Sequence, residues 1–150
     1  MTTFIRQTDS VAQTQQLASS LAKHLTLPAV LAISGQLGAG KTHFIKGLGQ
    51  GLGIDPQKIC SATFVIIAEY GQEKRLIHID AYRLSNPNEL ESIGWYELLD
   101  QPNTLLAVEW AEKITPLLPS QRLDIQIDIL DDHRRKFTFT PHGQLYESAL

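Results

Sequence analysis

The chain has 150 residues, 43% hydrophobic and 19% charged, which is typical of a single globular domain with a substantial core. A net charge of −3 does not favour a protein that binds nucleic acid directly through a basic surface. The one cysteine, Cys60, excludes an internal disulfide, cannot build a zinc site and fits a reducing compartment. No apolar run reaches membrane-spanning length and the N-terminus is not a signal peptide, so we expect a cytoplasmic protein with no membrane partner.

The chain opens with a short predicted strand over residues 3–7 and then a helix. Ser10 is the expected N-cap of this helix, Gln13 completes a capping box, and Pro28 ends the helical region. The next apolar run, residues 29–34, predicts a buried strand.

Residues 35–42 read Gly-Gln-Leu-Gly-Ala-Gly-Lys-Thr and match the phosphate-binding loop G-x-x-x-x-G-K-[ST]. The strand before them and a helical pattern after them favour this motif over an ordinary glycine turn. Glycines let amide groups face a phosphate, and the helix N-terminus adds its positive end. Lys41 would reach the β- and γ-phosphates, and the Thr42 hydroxyl would bind Mg²⁺. The residues assigned to the phosphates of ATP or ADP are Gly38, Ala39, Gly40, Lys41, Thr42 and His43.

The helix after this loop ends in three glycines, Gly49, Gly51 and Gly53. Such an end is either loosely held or closely packed against another element.

In the middle of the chain, residues 60–64 form a predicted polar loop before a β-hairpin of residues 65–70 and 75–80. Asn86 is the expected cap of a short helix with Pro87 at its first position, and Gly94 interrupts that helix. Residues 104–108 predict another apolar strand.

Near the C-terminus, apolar residues alternate with polar ones from Leu123 to Ile129, which marks a half-buried strand. A charged turn leads to a further strand over residues 135–140, with Phe137 and Phe139 on one face. We therefore predict an α/β fold over residues 1–150, a P-loop NTPase-like three-layer sandwich. Its mixed sheet would have a parallel core and flanking antiparallel strands.

Two acids follow apolar strands at positions where a P-loop protein needs carboxylates. Asp80 ends the strand of residues 76–79, and Glu109 ends that of residues 105–108. Ligands gather at the carboxyl ends of parallel strands, so both acids are expected to reach the site. One would hold the metal and the other would orient the attacking water, and the alternative for each is a surface acid that begins a loop.

Other polar residues have two interpretations each. Ser61 and Thr63 would form a switch loop or cap a turn. His78 lies among apolar neighbours and is expected to be a satisfied structural histidine. His43, at the start of the helix, would contact nucleotide or only solvent.

Three residues after the two acids are further candidates for a switch or an interface. Tyr82 and Arg83 would place a cation near phosphate, unless Arg83 pairs with an acid. Trp110 would be core, an interface anchor or a lid on the site.

Four segments in this order and spacing resemble the TsaE family: residues 37–42, 61–64, 78–83 and 108–112. The similarity extends over residues 14–143. It implies an ATPase that needs Mg²⁺ and acts with TsaB and TsaD, of which TsaD modifies the adenosine beside the anticodon of ANN-decoding tRNAs. The chain itself would meet tRNA only through that complex.

The resemblance also implies roles for individual residues. Lys41 would bind phosphate, Thr42 and Glu109 would hold Mg²⁺, and Asp80 would be needed for hydrolysis. The first helix and the last hairpin would surround adenine, which indicates Val11 and Arg134. The family usually has Asp where this chain has Gln36, Pro where it has Ala62 and Thr where it has His43. These differences affect the expected rigidity of the loops and the expected rate of ATP hydrolysis.

Two other classes stay open at this point. A small P-loop kinase shares the phosphate loop. Such enzymes usually carry an arginine-bearing lid and an acceptor pocket, whereas the region after Arg83 is short and holds acids and aromatic residues. A nucleotide-dependent assembly module would bind ATP without essential hydrolysis. A GTPase is disfavoured because the chain has no [NT]-K-x-D motif. We expect hydrolysis to be weak alone and stimulated by partners, since no arginine finger is evident.

Overall fold

The computed structural model describes residues 2–59 and 67–150. Within these ranges seven strands form one sheet, in the order β1-β7-β6-β2-β5-β4-β3. The strands are β1 Phe4–Thr8, β2 Ala29–Gly35, β3 Ile67–Tyr70, β4 Arg75–Asp80, β5 Thr104–Glu109, β6 Arg122–Ile129 and β7 Arg135–His142. The helices are α1 Val11–His24, α2 Lys41–Gly51, α3 Glu89–Ser92, α4 Trp95–Leu99 and α5 Gln144–Glu147. Short 3₁₀ segments cover Pro56–Lys58, Ala81–Arg83 and Ala111–Leu117.

The centre of the sheet is parallel and its edges are antiparallel. β2 pairs in parallel with β6 and β5, and β5 pairs in parallel with β4. β7 pairs antiparallel with β6 and β1, and β3 pairs antiparallel with β4. β2 and β5 are apolar along nearly their whole length because both faces of the central sheet are covered. The predicted fold class is confirmed.

Two apolar clusters cover opposite faces of the sheet. The first packs α1 and α2 on one face and includes Phe44, Leu48 and Phe137. The second lies on the other face, under α3, α4 and the last 3₁₀ segment, and includes Trp95 and Ile114. Helices, sheet and helices therefore make three layers.

Close packing accounts for the glycines of α2. A methyl group on Gly47 would lie 2.5 Å from the carbonyl oxygen of Gln15 in α1, and Gly51 meets the carbonyl oxygen of Ser19 in the same way. The two helices can approach this closely only because these positions have no side chain. Of the two sequence interpretations, close packing is correct for Gly49 and Gly51, whereas Gly53 has a φ of 83° and nothing within 4 Å of an added methyl group.

Of the two predicted helix starts, that of α3 was wrong and that of α1 was right, although the capping box at Ser10 is incomplete. The Asn86 side chain accepts a hydrogen bond from the Asn88 amide at 2.9 Å, and α3 begins only at Glu89, so Asn86 forms a turn before the helix instead of capping it. The Ser10 hydroxyl does cap α1 through the Gln13 amide, but the Gln13 side chain accepts from Asp9 instead of Ser10.

Among the helices of the described residues, none has both the length and the apolar character needed to cross a bilayer.

Candidate functional site

The loop between β2 and α2 has an open backbone conformation that exposes amide groups. Gly38 and Gly40 have φ angles of 82° and 100°, in the region that favours glycine. A methyl group on either would meet nothing within 4 Å, so their requirement is conformational. Gly40 is the N-cap of α2 and provides no side-chain cap, which leaves the first amides of the helix for another acceptor.

Lys41 directs its ammonium group into this loop. Nζ donates hydrogen bonds to the carbonyl oxygens of Gly35 and, at 2.9 Å, Gln36. It also lies 4.2 Å from the centre of the Trp110 ring, within cation–π range. Burial lowers the pKa of Lys41, and the nearby charges of Glu109, Glu112 and Asp80 oppose that shift. The site therefore holds a desolvated cation next to several acids.

Asp80 and Glu109 lie opposite each other at the carboxyl ends of the paired strands β4 and β5. Glu109 is buried, and Asp80 is partly exposed. Burial raises the pKa of Asp80, while the Tyr82 amide, 3.0 Å from its carboxylate, acts in the opposite direction. Strand ends and helix start bring both acids to the loop, as the sequence predicted.

His78 is fully buried on β4, two residues before Asp80 in the sequence. Its Nε2 lies 2.5 Å from the Oε2 atom of Glu109. Its Nδ1 has no hydrogen-bond partner among the residues that the structure describes. Among the described residues only one ring nitrogen of His78 is bonded and its partner is a site carboxylate, so the expectation of a satisfied structural histidine is not met there.

Trp110 and Tyr82 form an aromatic wall beside Lys41. The ring centres of Tyr82 and Trp110 are 5.0 Å apart, and Lys113 donates to the Tyr82 carbonyl oxygen at 2.6 Å. Trp110 has a φ of 57°, which is uncommon for a bulky residue and turns its ring back over the loop. Trp110 also packs against the second apolar cluster, so it is at once a core contact and a wall of the site.

A cavity of about 410 Å³ brings these groups together. The residues that line it are Leu37, Gly38, Gly40, Lys41, Thr42, His43, Asp80, Tyr82, Arg83, Glu109 and Trp110. A larger cavity of about 850 Å³ lies between the C-terminal end of α2 and the β3–β4 hairpin, and no residue of the glycine loop lines it. Chemistry, and not volume, therefore identifies the candidate site.

A second cavity, of about 180 Å³, adjoins the other side of the loop. Val11 lines it together with Ala39, and from the last hairpin Arg135 contributes to its wall. Arg134, the residue that the resemblance indicated, instead turns to Asp131, with Nε 2.5 Å from Oδ2.

Arg135 contacts the loop directly, since its Nε donates to the Ala39 carbonyl oxygen at 3.1 Å. Sequence reasoning missed this residue, although the period of two places Arg135 on the same face as Phe137. The binding site for adenine stays a prediction.

Ser61 and Thr63 lie outside the described residues.

The donor set fits a magnesium ion that arrives with a nucleotide. Among residues 2–59 and 67–150, no three side chains of His, Cys, Asp or Glu cluster as a complete metal site. Thr42, Asp80 and Glu109 instead offer one hydroxyl and two carboxylates beside the loop. Mg²⁺ commonly binds one or two protein carboxylates and takes its other ligands from phosphates and water. These residues therefore fit the ligand set of a Mg²⁺ ion that takes its other ligands from phosphate and water.

Fold and site together define an α/β protein with a glycine loop between the central strand and the next helix, the arrangement of P-loop proteins. The family model described as threonylcarbamoyl adenosine biosynthesis protein TsaE matches residues 8–137. The chain belongs to this TsaE family.

Relatives agree with this assignment. The chain is 40% identical over 136 residues to a tRNA threonylcarbamoyladenosine biosynthesis protein TsaE of Bacillus subtilis, with 90% of this chain and 84% of that protein covered. It is 44% identical over 112 residues to the Synechocystis sp. protein of the same name, with 72% and 69% covered. A crystal structure of Bacillus subtilis YdiB superimposes with a TM-score of 0.80 at 35% identity, covering 99% of this chain and 91% of that one.

Proposed function

We propose that this protein binds and hydrolyses ATP with Mg²⁺ in the threonylcarbamoyl modification of tRNA. The modified base would be the adenosine next to the anticodon of ANN-decoding tRNAs. The protein would act in the cytoplasm with TsaB and TsaD and meet tRNA only through them. One observation carries the ATP part: Lys41, Asp80 and Glu109 line one cavity with an uncapped helix start.

The loop and Lys41 supply the contacts to the phosphates. The open amides at the start of α2 bind phosphate oxygens, and the Lys41 ammonium exchanges its carbonyl partners for the β- and γ-phosphates. Desolvation around Lys41 strengthens this interaction, because little water is left to screen the attraction between the ammonium group and the phosphate. Gly38, Ala39, Gly40 and His43 complete the proposed contacts.

The two acids, Glu109 and Asp80, have different proposed roles: one binds the metal and the other orients water. Thr42 and Glu109 would hold Mg²⁺, which neutralises phosphate charge when bound. Asp80 orients the attacking water. The raised pKa of Asp80 suits this role, because a more basic carboxylate accepts a stronger hydrogen bond from water. The water oxygen would form a bond to the γ-phosphorus while the bond from that phosphorus to the β–γ bridging oxygen breaks. The hydrogen atoms of the water would leave with the inorganic phosphate, and the bridging oxygen would stay on ADP.

Partner stimulation is supported by the exposure of the cavity rim. Leu37 is 82% exposed and Tyr82 54% exposed, although both are large and apolar in part. A partner that covers Leu37 and Tyr82 would exclude water from the cavity and strengthen its electrostatic interactions. TsaB and TsaD are the partners that the family assignment suggests.

Calorimetry tests the nucleotide site directly. Wild-type protein should release heat on titration with ATP and Mg²⁺, and addition of a TsaB–TsaD mixture should raise ATP hydrolysis. Folded protein that gives no heat would refute the site.

The reaction products separate the classes. Transfer of labelled phosphate to a small-molecule acceptor would indicate a kinase. Retention of tRNA modification by Asp80→Asn would indicate an assembly module that needs only bound nucleotide.

A further inference from the structure

The buried ring of His78 is costly as a structural element alone. It is fully buried on β4, and its Nδ1 has no partner within the described part of the chain. A buried polar atom without a hydrogen bond carries a free-energy cost to folding. A leucine or methionine would fill the same volume without that cost. Among the described residues, the contact that an apolar side chain could not replace is the one between His78 Nε2 and Glu109 Oε2, at 2.5 Å.

Strand register explains why His78 can reach Glu109. Asp80 lies opposite Glu109, and His78 lies opposite Ala107. Side chains two residues apart share a face of the sheet, so His78 and Asp80 face the same side as Glu109. His78 therefore contacts Glu109 from the interior, whereas Asp80 flanks Glu109 at the mouth of the cavity.

We propose that His78 is a positioning residue that holds Glu109 through an Nε2–H···Oε2 hydrogen bond and leaves Oε1 free for Mg²⁺. A carboxylate only accepts hydrogen bonds, so the donor is the ring, in the tautomer with its proton on Nε2. Ligating carboxylates depend on such partners for their orientation. This inference rests on the proposed function, because the ion it concerns would arrive with the nucleotide.

The test compares three variants by titrating ADP into the full chain at a series of Mg²⁺ concentrations. His78→Leu removes the donor. His78→Gln keeps an amide N–H near the position of Nε2. His142→Leu is the matched control, since it removes a His–carboxylate contact, to Asp124 at 2.7 Å, at the opposite end of the sheet.

His78→Leu should need about ten-fold more Mg²⁺ for half-maximal enhancement of ADP binding. Its affinity for ADP without metal should change little, because the loop remains. Its melting temperature should also change little, because removal of Nδ1, which is unpaired among the residues described, offsets the loss of the hydrogen bond to Glu109. His78→Gln and His142→Leu should behave as wild type. An unchanged Mg²⁺ dependence in His78→Leu would overturn the inference, and so would a His78→Gln variant as impaired as His78→Leu.

A spectroscopic measurement that leaves His78 in place decides the question even if His78→Leu fails to fold. Nitrogen NMR of the His78 ring should show the proton on Nε2. Its signal should shift in Glu109→Gln and again when ADP and Mg²⁺ are added. A proton on Nδ1, or a ring signal insensitive to both changes, would contradict the proposal. If wild-type protein binds no ADP at any Mg²⁺ concentration, the proposed function itself fails and the inference with it.

Discussion

The glycines of the loop, Gly38 and Gly40, differ from those of α2, Gly47 and Gly51. The difference is in the surroundings that an added side chain would meet. The loop glycines face open space but have φ angles of 82° and 100°. The helix glycines have ordinary helical backbone but touch the carbonyl oxygens of α1. The loop glycines keep amides available to a ligand, and the helix glycines let α2 pack tightly enough to fix the position of those amides.

This difference has a general consequence for substitutions. Changes at Gly38 and Gly40 should alter ligand binding more than folding, because an added methyl group at either position would meet nothing within 4 Å. Changes on the helix face should alter folding more than binding, because α1 and α2 form the first apolar cluster together. The experiments below separate the two effects, beginning with the largest.

Among these variants, Lys41→Ala should cause the largest loss of nucleotide affinity. We expect the affinity for ATP with Mg²⁺ to fall by about 3 kcal/mol, or roughly a hundred-fold, since a charge-assisted phosphate contact is lost. The free energy of unfolding should change far less, because the folded state already disfavours the charged form of Lys41. Calorimetric titration and thermal unfolding of the same samples measure the two quantities. Equal losses in both would contradict the separation.

Gly47→Ala should show the opposite pattern. A methyl group gains about 1 kcal/mol in helix propensity, yet it would lie 2.5 Å from the Gln15 carbonyl oxygen. Overpacking of this kind costs about 1–3 kcal/mol, so we expect a net loss of stability in urea unfolding.

Gly49→Ala is the matched control for Gly47→Ala. Its methyl group would meet the Cδ1 atom of Ile59, the end of a flexible side chain. This variant should lose less stability than Gly47→Ala, or even gain some from helix propensity. The reverse order would show that α1 can move away from α2.

Gly40→Ala should have an intermediate effect on both quantities. Its φ of 100° forces a side chain into a disfavoured backbone region, at a cost of about 1–2 kcal/mol. The loop can relieve that strain by changing conformation, because nothing surrounds the added methyl group. We therefore expect a small loss in melting temperature and a larger loss in ATP affinity. Full retention of affinity would indicate that the loop amides do not bind the phosphates.

Features of the fold and the site that depend on local sequence patterns could be predicted from the sequence. Lys41 and Thr42 come from a local motif, and alternation from Leu123 to Ile129 is a local pattern, so both were accessible without a structure. The positions of Asp80 and Glu109 followed from the rule for parallel strand ends.

Contacts that depend on tertiary structure were not accessible. The contact of His78 with Glu109 joins residues 31 apart and needs β4 and β5 to be neighbours. The choice of Arg135 over Arg134 beside the loop depends on the register of β7 on β6, which a charged turn does not reveal.

The smallest expected effect concerns acids with opposite pKa shifts. Burial raises the pKa of Asp80 above 3.8, so the folded state binds its proton more tightly than the unfolded state does. Stability should therefore fall as pH rises through the interval from 3.8 to that raised pKa. Asp80→Asn, which keeps an acceptor for the Tyr82 amide, should melt slightly higher than wild type at pH 7 and lose that advantage below pH 3.8.

Asp131 is the control, because hydrogen bonds from the His133 amide and from Arg134 lower its pKa to about 2. For this acid, stability is present above pH 3.8 and is lost as pH falls towards 2. Asp131→Asn should therefore melt slightly lower than wild type at pH 7, the opposite sign to Asp80→Asn. Calorimetric scans of both variants from pH 3 to pH 7 measure the difference. Shifts of the same sign would mean that the strand ends do not desolvate Asp80, and its proposed role towards water would lose its physical basis.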